Sequence, residues 1–451
     1  MKEPIMSKLR AAIILAAGHG SRMKSDLPKV LHEVGGRSMF AWLVALSKQV
    51  DATRIAAIVG TQTPLVKQAA ETALGAEFVA IQDPPNGTGH ATSCAADIMA
   101  GFEGNALVVF ADSPLITAKT IERVFDALDD GAAVAVLGFE PEDAGAYGRL
   151  VEDEAGDLLA IVEAKEASVE QLQIGLCNSG VVAADAKLLF ELLEQVTNDN
   201  AKGEYYLTDI VGLAVARGLK AKAVRASADE VLGVNSRHEL AQAERIFQDR
   251  SRTQALEDGV TMLDPSSVYF SYDTKLNSDV IVEQNVVFAK GVSLASNVTI
   301  RAFSHLEGVQ ISSGAIIGPY ARLRAGTIVG ENAKIGNFVE TKKAIIGDGA
   351  KISHLSYIGD ANIGADANIG AGTITCNYDG FDKFQTIIGE GAFVGSNSSL
   401  VAPVTIGAGA IVGAGSIVTK NVADDALVVA RSKQKEITNW AKSFRNKKKK
   451  T

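Results

Sequence analysis

A doubly wound α/β domain followed by a parallel β-helix is the fold class that the sequence predicts, and two periodicities predict it. In the first half, short apolar runs alternate with amphipathic stretches; in the second, an apolar anchor recurs every six residues. Glycine is the third observation: it makes up 43 of 451 residues, nearly a tenth against a usual share of about 7%. The tight corners of a six-residue repeat account for that excess. A chain of this length holds two or three domains at about 100–200 residues each. With 47% hydrophobic and 22% charged residues, it is composed as a folded protein and not as a disordered one.

The α/β half is read from residues 12–15, 55–59, 106–110 and 132–137, four continuous apolar runs. Runs of that kind are strands of a parallel sheet covered on both faces. Residues 40–50, 64–74 and 118–128 are the helices between them. In such a sheet, ligands bind at the carboxyl ends of the strands. Near Asn235 the pattern changes. Ser236-Arg-His-Glu239 is a capping box. Leu240, Ala243, Ile246 or Phe247 and Arg250 follow at helical spacing, so one charged helix runs to about Leu256 as a connector without chemistry. The expected segments are therefore 1–235, a linker at 236–257, and 258–451.

The six-residue anchors are Phe270, Leu276, Val282, Phe288, Leu294, Ile300 and Leu306, then Ile311, Ile317, Leu323, Val329 and Ile335 after one five-residue step. They return at Ile346, Ile352 and Ile358, at Ile363 and Ile369, and from Ile388 to Val418. Neither a 3.6-residue helix nor a two-residue alternation gives this period; stacked hexapeptide coils do. The repeat breaks at residues 376–386, a polar and aromatic loop of the kind that carries function. Beyond it, residues 429–444 read as a short terminal helix containing Trp440, and 447–450 as a solvated tail.

Several function classes are excluded. A formal charge of −9 gives no general attraction to nucleic acid or anionic lipid. Aromatics at 6% are too few for a single-strand stacking platform. Cys94, Cys177 and Cys376 lie far apart, so neither a disulfide framework nor a thiolate zinc site is expected. No stretch approaches the ~20 apolar residues that span a bilayer. The expectation is a soluble, cytoplasmic protein.

After the first strand comes Gly18-His-Gly20-Ser-Arg22, followed by Pro28-Lys29. Met23 at the third glycine position rules out the dinucleotide fingerprint, and without a Gly-Lys pair there is no Walker loop. Glycine amides with two nearby cations suit a triphosphate; a tight turn without a ligand satisfies the same pattern. The third apolar run ends in Phe110-Ala111-Asp112-Ser-Pro114. A carboxylate there suits magnesium beside phosphates, and equally a helix N-cap.

The segment Leu15-Ala-Ala-Gly-His-Gly-Ser-Arg-Met with Pro28-Lys29 resembles the signature of sugar-1-phosphate nucleotidyltransferases. Gln82-Asp-Pro-Pro-Asn-Gly-Thr-Gly-His-Ala91 is similar to the uridine-binding stretch of one branch. In the repeat, Gly318-Pro-Tyr-Ala-Arg-Leu-Arg324, Phe338-Val-Glu-Thr-Lys-Lys343, His354-Leu-Ser-Tyr357 and residues 368–380 complete the pattern. Together they resemble the bifunctional N-acetylglucosamine-1-phosphate uridylyltransferase / glucosamine-1-phosphate N-acetyltransferase family, over nearly the whole chain and in its domain order.

That resemblance implies a Rossmann-like nucleotidyltransferase domain and a left-handed β-helix. UTP and UDP-N-acetylglucosamine would meet Leu15, Ala16, Ala17 and Gly18 through backbone, Arg22 and Lys29 at phosphates, and Gln82, Gly87 and Thr88 at uracil. Phe110 and Ala111 would line the approach to Asp112, with Gly148, Glu163 and Asn178 at the sugar. Asp112 and Asn235 would hold Mg2+. His354 would be the catalytic base of acetyl transfer, and Arg324, Lys342, Tyr357 and Asn368 would bind glucosamine-1-phosphate. Ala371, Asn377, Tyr378, Ser396, Ala414 and Arg431 would take acetyl-CoA. A homotrimer is implied, with small-molecule substrates only and no nucleic acid or membrane partner. Ser21, Asp83-Pro84-Pro85 and Phe110-Ala111 depart from the family's usual residues. The alternative is a monofunctional nucleotidyltransferase with a structural or regulatory β-helix; a complete His354, Lys342 and Asn377 set argues against it. A hexapeptide carbonic anhydrase needs three zinc histidines, and beyond residue 260 there are only His305 and His354.

Overall fold

The computed structural model describes residues 8–18, 20–200 and 202–449; His19 and Lys450 of the segments above lie outside them. The chain divides into two compact units, Met1–Asp249 and Arg250–Thr451.

The first unit is built on a nine-stranded sheet. Its strands, numbered along the chain, are β1 Arg10–Ala16, β2 Ala52–Gly60, β3 Val79–Gln82, β4 Asn105–Phe110, β5 Val134–Phe139, β6 Arg149–Glu152, β7 Leu158–Val162, β8 Cys177–Asp185 and β9 Ala221–Ala226. The order is β9-β5-β8-β4-β1-β2-β3, with β6 and β7 as a side ribbon on β8. All four expected runs fall in strands, and the helices Met39–Gln49, Pro64–Leu74 and Ala118–Asp129 match the three expected ones. Chain order reverses between β1 and β4, which opens a crevice at their carboxyl ends. The sheet is not purely parallel, however: β8 runs antiparallel between β4 and β5. Its register shifts between Asn178, paired with Gly138, and Val182, paired with Val136, and that bulge leaves residues 179–181 out of the ladder.

The connector helix is Arg237–Glu257, with Ala243 and Ile246 buried against Val34, Met39 and Leu115. Its capping box differs from the expected one. The Glu239 carboxylate accepts from the Ser236 hydroxyl and the Asn235 N–H, each at 2.9 Å, one residue before the cap. The helix start therefore fixes Asn235, a predicted site residue.

The second unit stacks parallel two- to seven-residue strands into ladders. Ile300 pairs with Ile317, Ile317 with Ile335, Ile335 with Ile352 and Ile352 with Ile369. One coil thus takes 17 or 18 residues, or three hexads. Every predicted anchor is buried except Leu276, which is partly exposed. The repeat also continues through two positions where no aliphatic marks it. Thr341 and Thr375 fill anchor slots in the core, Thr341 sharing a 3.0 Å hydrogen bond with Thr327 and Thr375 accepting from the Gly359 N–H at 2.8 Å. The helix at the end begins only at Trp440 and runs to Lys448, so Lys447 and Lys448 belong to it and not to a tail. Among the described residues no helix is long and apolar enough to cross a membrane.

Candidate active sites

At the β1–β4 crevice, Leu15, Ala16, Ala17, Gly18, Lys29, Gln82, Gly87, Thr88, Phe110 and Asp112 line one cleft of about 250 Å³, with Val30, Pro85, Ala91 and Glu204. Residues scattered over nearly two hundred positions converge because β1, β3 and β4 end on the same side of the sheet, and Glu204 joins them through the hydrogen bonds of Tyr205 to Asn86 and Gly89. Gly20 has φ +65, and a Cβ there would overlap the Lys29 side chain, so the loop admits that lysine only with glycine at this position. The Lys29 ammonium lies 2.5 Å from Asp112 Oδ2 and 3.0 Å from Asn235 Oδ1. Asp112 is held in turn by the Val234 N–H on its carbonyl at 2.8 Å. Arg22 is exposed in the short turn Ser21–Met23 and does not line the cleft. Ala111 is fully buried, and its N–H donates to the Leu15 carbonyl at 3.0 Å; it ties β1 to β4 beneath the cleft.

On the base side, the Gln82 amide nitrogen donates to the Gly87 carbonyl at 2.9 Å, leaving the side-chain oxygen as the acceptor Gln82 can offer a ligand. Gly87 has φ +102, and a Cβ there would come within 2.5 Å of the Tyr205 carbonyl. Gly89 N–H donates to that carbonyl, and Tyr205 N–H donates to Asn86, which sews the loop to residues 204–207. Gly87→Ala should therefore weaken nucleotide binding and lower the melting temperature together, as read by calorimetry and thermal unfolding. An unchanged affinity would show that the loop tolerates displacement.

Gly148, Glu163 and Asn178 gather at the β8 bulge, outside that cleft. Asn178 N–H donates to the Gly148 carbonyl at 2.8 Å, and its Oδ1 accepts from the Gly180 N–H at 2.9 Å. The Phe110 ring packs on Gly180 and so links the cleft to this group. Burial pushes the Glu163 carboxyl above its usual value, opposed by Lys202 and reinforced by Glu166. Burial, with Glu166 and Glu163 beside it, raises Asp209 to about 6.

In the second unit, His354 Nδ1 is 2.6 Å from Asn337 Oδ1. Since the amide oxygen only accepts, the bond sets Nδ1 as the protonated nitrogen and leaves Nε2 as the base. His354 and Asn337 border a cleft of about 310 Å³ with Arg301, Gly318, Pro319 and Lys334. Asn337, His354, Ala371, Ser396 and Ala414 each follow by two an anchor of one ladder: Ile335, Ile352, Ile369, Val394 and Val412. They therefore form one column on one corner of successive coils. The Ala371 carbonyl accepts from the Asn397 N–H at 2.7 Å, Ser396 from Gly415 at 2.8 Å, and Ala414 from Arg431 Nη1 at 2.6 Å.

Across the corner, Arg324 is paired with Glu340 at 2.9 Å. The Lys342 ammonium is held below its usual pKa, first by the Lys383 charge, then by Arg324, with burial and Lys343 adding. This crowd of cations is suited to a phosphate. Lys383 was not legible as a site residue; its signal is its place in the loop that interrupts the repeat. In that loop, Asn377 Nδ2 donates to Asp360 Oδ2 at 2.5 Å, while Tyr378 is exposed with its hydroxyl on the Gly380 carbonyl. Asn368 pairs with Lys351 in the ladder that carries His354, and Tyr357 with Glu340.

The fold and its two sites define a nucleotide-transferring α/β domain joined to a hexapeptide-repeat transferase. Comparison with known proteins agrees. Residues 12–206 match the MobA-like NTP transferase domain, and residues 308–343 and 385–420 match the bacterial transferase hexapeptide (six repeats). The repeat unit is thus a left-handed parallel β-helix, as the resemblance implied. The chain is 56% identical to the bifunctional protein GlmU of Maricaulis maris over 97% of both chains. It is 55% identical to that of Hyphomonas neptunium, covering 98% of this chain and 96% of the other, and 48% identical to that of Zymomonas mobilis, covering 98% of each. The chain belongs to the bifunctional GlmU family.

Proposed function

We infer that the protein makes UDP-N-acetylglucosamine in two steps, acetyl transfer from acetyl-CoA to glucosamine-1-phosphate and then uridylyl transfer from UTP. The observation that carries this reading is 56% identity to a bifunctional relative over 97% of both chains, and it is supported by the register of His354 with Ala371, Ser396 and Ala414 on one corner. In the second unit, Arg324, Lys342 and Lys383 hold the phosphate of glucosamine-1-phosphate, with Tyr357 and Asn368 toward the sugar. His354 Nε2 takes a proton from the amine as nitrogen bonds the thioester carbon; the C–S bond breaks and CoA leaves as thiolate. Asn377, Tyr378, the corner residues Ala371, Ser396 and Ala414, and Arg431, which donates to the Ala414 carbonyl, hold acetyl-CoA. Lys383→Ala should raise KM for glucosamine-1-phosphate by about tenfold or more, with kcat little changed, since a charged hydrogen bond to phosphate is lost. A lowered kcat at unchanged KM would remove Lys383 from phosphate binding.

In the first unit, the sugar phosphate oxygen attacks the α-phosphorus of UTP and pyrophosphate leaves in line. That nucleophile is already an anion, so no general base is needed; alignment and charge neutralisation are. Asp112 and Asn235 fit Mg2+, because two hard oxygens already converge on one cationic group, the Lys29 ammonium. A bound Mg2+ would supply charge neutralisation at the phosphates. Lys29 serves the phosphates from within the cleft and Arg22 from the exposed turn outside it, with Gln82, Gly87 and Thr88 at the uracil and Gly148, Glu163 and Asn178 at the sugar. Incubation with glucosamine-1-phosphate, acetyl-CoA, Mg2+ and each of four nucleoside triphosphates tests the whole reading. UDP-N-acetylglucosamine alone should accumulate; a product with another base, or none, overturns it.

We assign residues 236–257 as a linker and place the enzyme in the cytoplasm. The assembly is a homotrimer, because the repeat's flat walls and the family resemblance favour shared acetyl-transfer sites. Light scattering should give three chains. A monomer at concentrations where acetylation is fully active would sink that assignment.

A further inference from the structure

We propose that Lys29 is a placeholder for the divalent cation, so that the metal enters only when a nucleotide phosphate draws the lysine away. The proposal rests on the reading of Asp112 and Asn235 as cation ligands. The Lys29 ammonium stands 2.5 Å from Asp112 Oδ2 and 3.0 Å from Asn235 Oδ1, between the two oxygens that would hold the metal. Magnesium held by those oxygens would draw closer to them, about 2.0–2.1 Å, than the ammonium's 2.5 and 3.0 Å, and would need the same lone pairs that Nζ now engages. The two cations exclude one another. Metal entry therefore requires the ammonium to leave.

It does not leave easily into nothing. Only 10% of the Lys29 side chain and 20% of the Asp112 side chain are exposed, so a parted pair leaves two poorly hydrated charges. A second anion changes that balance, and the geometry says where it would be. The Lys29 stem runs against Gly20, and its side chain lines the same cleft as Leu15–Gly18, whose backbone borders the phosphate site. A phosphate in this cleft gives the ammonium a new partner within a short swing and hands both oxygens to the metal. Until a phosphate binds, the lysine keeps the Asp112 carboxylate neutralised and the site closed to stray cations. By linkage, nucleotide and metal then strengthen each other's binding beyond their direct contact.

The test uses the full chain without nucleotide, which removes direct chelation by phosphates. Mn2+ serves as the probe, its binding read by calorimetry and by loss of the free-ion electron paramagnetic resonance signal. Wild type should bind weakly. Lys29→Met and Lys29→Gln should each bind at least about tenfold tighter, and Lys29→Arg should stay weak because it keeps the cation. Should Lys29→Met fail to fold by circular dichroism, Lys29→Gln, which retains a neutral donor between the oxygens, decides alone. Neutral variants that bind Mn2+ no tighter than wild type overturn the proposal and leave Lys29–Asp112 a structural ion pair. Adding Asp112→Ala to Lys29→Gln should abolish the gained binding. If the gain persists, the ligand assignment itself is wrong, and the placeholder fails with it.

Discussion

His354→Ala should lower the rate of acetyl transfer by about 10²–10⁴-fold, the scale of a lost general base. The incoming amine must shed a proton as it attacks, and His354 is one of two histidines in the repeat unit. The other, His305, pairs in a ladder strand with Arg322 and has no partner of the Asn337 kind. The 2.6 Å contact with Asn337 Oδ1 fixes which ring nitrogen carries hydrogen, so Nε2 is free to accept one. Binding of glucosamine-1-phosphate should change much less, because the proposed phosphate ligands Arg324, Lys342 and Lys383 are left in place. Raising the pH should partly rescue the variant, as more of the amine becomes neutral unaided. Uridylylation of ready-made N-acetylglucosamine-1-phosphate should be untouched. Asn337→Ala should give a smaller loss, in kcat and not in KM, because it frees the ring to adopt the wrong tautomer. Near-wild-type acetylation by His354→Ala at pH 7 would remove this residue from the mechanism and turn attention to Glu340 or a bound water.

The two periods carried most of the fold, because both are consequences of burial. Ile13 and Val108 are apolar for the same reason as Ile317 and Val412: each faces a packed interior. What the pattern concealed has particular causes. Thr341 and Thr375 interrupt the apolar repeat without interrupting the coil, since a buried hydroxyl with a partner fills an anchor slot as well as a methyl group does. Corners were expected to need glycine or other small residues, yet Phe303, Tyr320 and Phe338 adopt φ of 55 to 60. Their rings stack at 4.8 and 5.2 Å up one edge, so contact between rungs offsets a backbone conformation that costs about 1–2 kcal/mol at each. The antiparallel strand Cys177–Asp185 was not legible because Asn178-Ser-Gly180 at its bulge leaves only the four-residue apolar run Val181–Ala184, short and half alanine. At the sites, strand ends were legible from Leu15-Gly18 and Phe110-Asp112, where an apolar run stops at a polar residue. Lys383 and Asn337 were not, because what marks them is a neighbour seventeen or more residues away: Lys342 for one, His354 for the other.

Asp112→Ala should reduce uridylyl transfer by at least about 10²–10³-fold while acetylation stays near normal. The substitution removes one of the two oxygens proposed to hold Mg2+, whose charge neutralisation at the phosphates is the kind of term that dominates such transfers. It also strips Lys29 of its 2.5 Å partner, leaving an ammonium with only Asn235 Oδ1 at 3.0 Å. Some loss of stability in the first unit is therefore expected, since breaking a poorly hydrated pair leaves an uncompensated charge. Asp112→Asn controls for that: it keeps the size and an acceptor for Lys29, and should still lose uridylyl transfer because a neutral oxygen holds a divalent cation poorly. Every residue assigned to acetyl transfer, from Arg324 to Arg431, belongs to the other unit. The measurement is both activities on one preparation, with circular dichroism to establish folding. Acetylation that falls in parallel with uridylylation in a folded variant would mean that the two sites do not work independently.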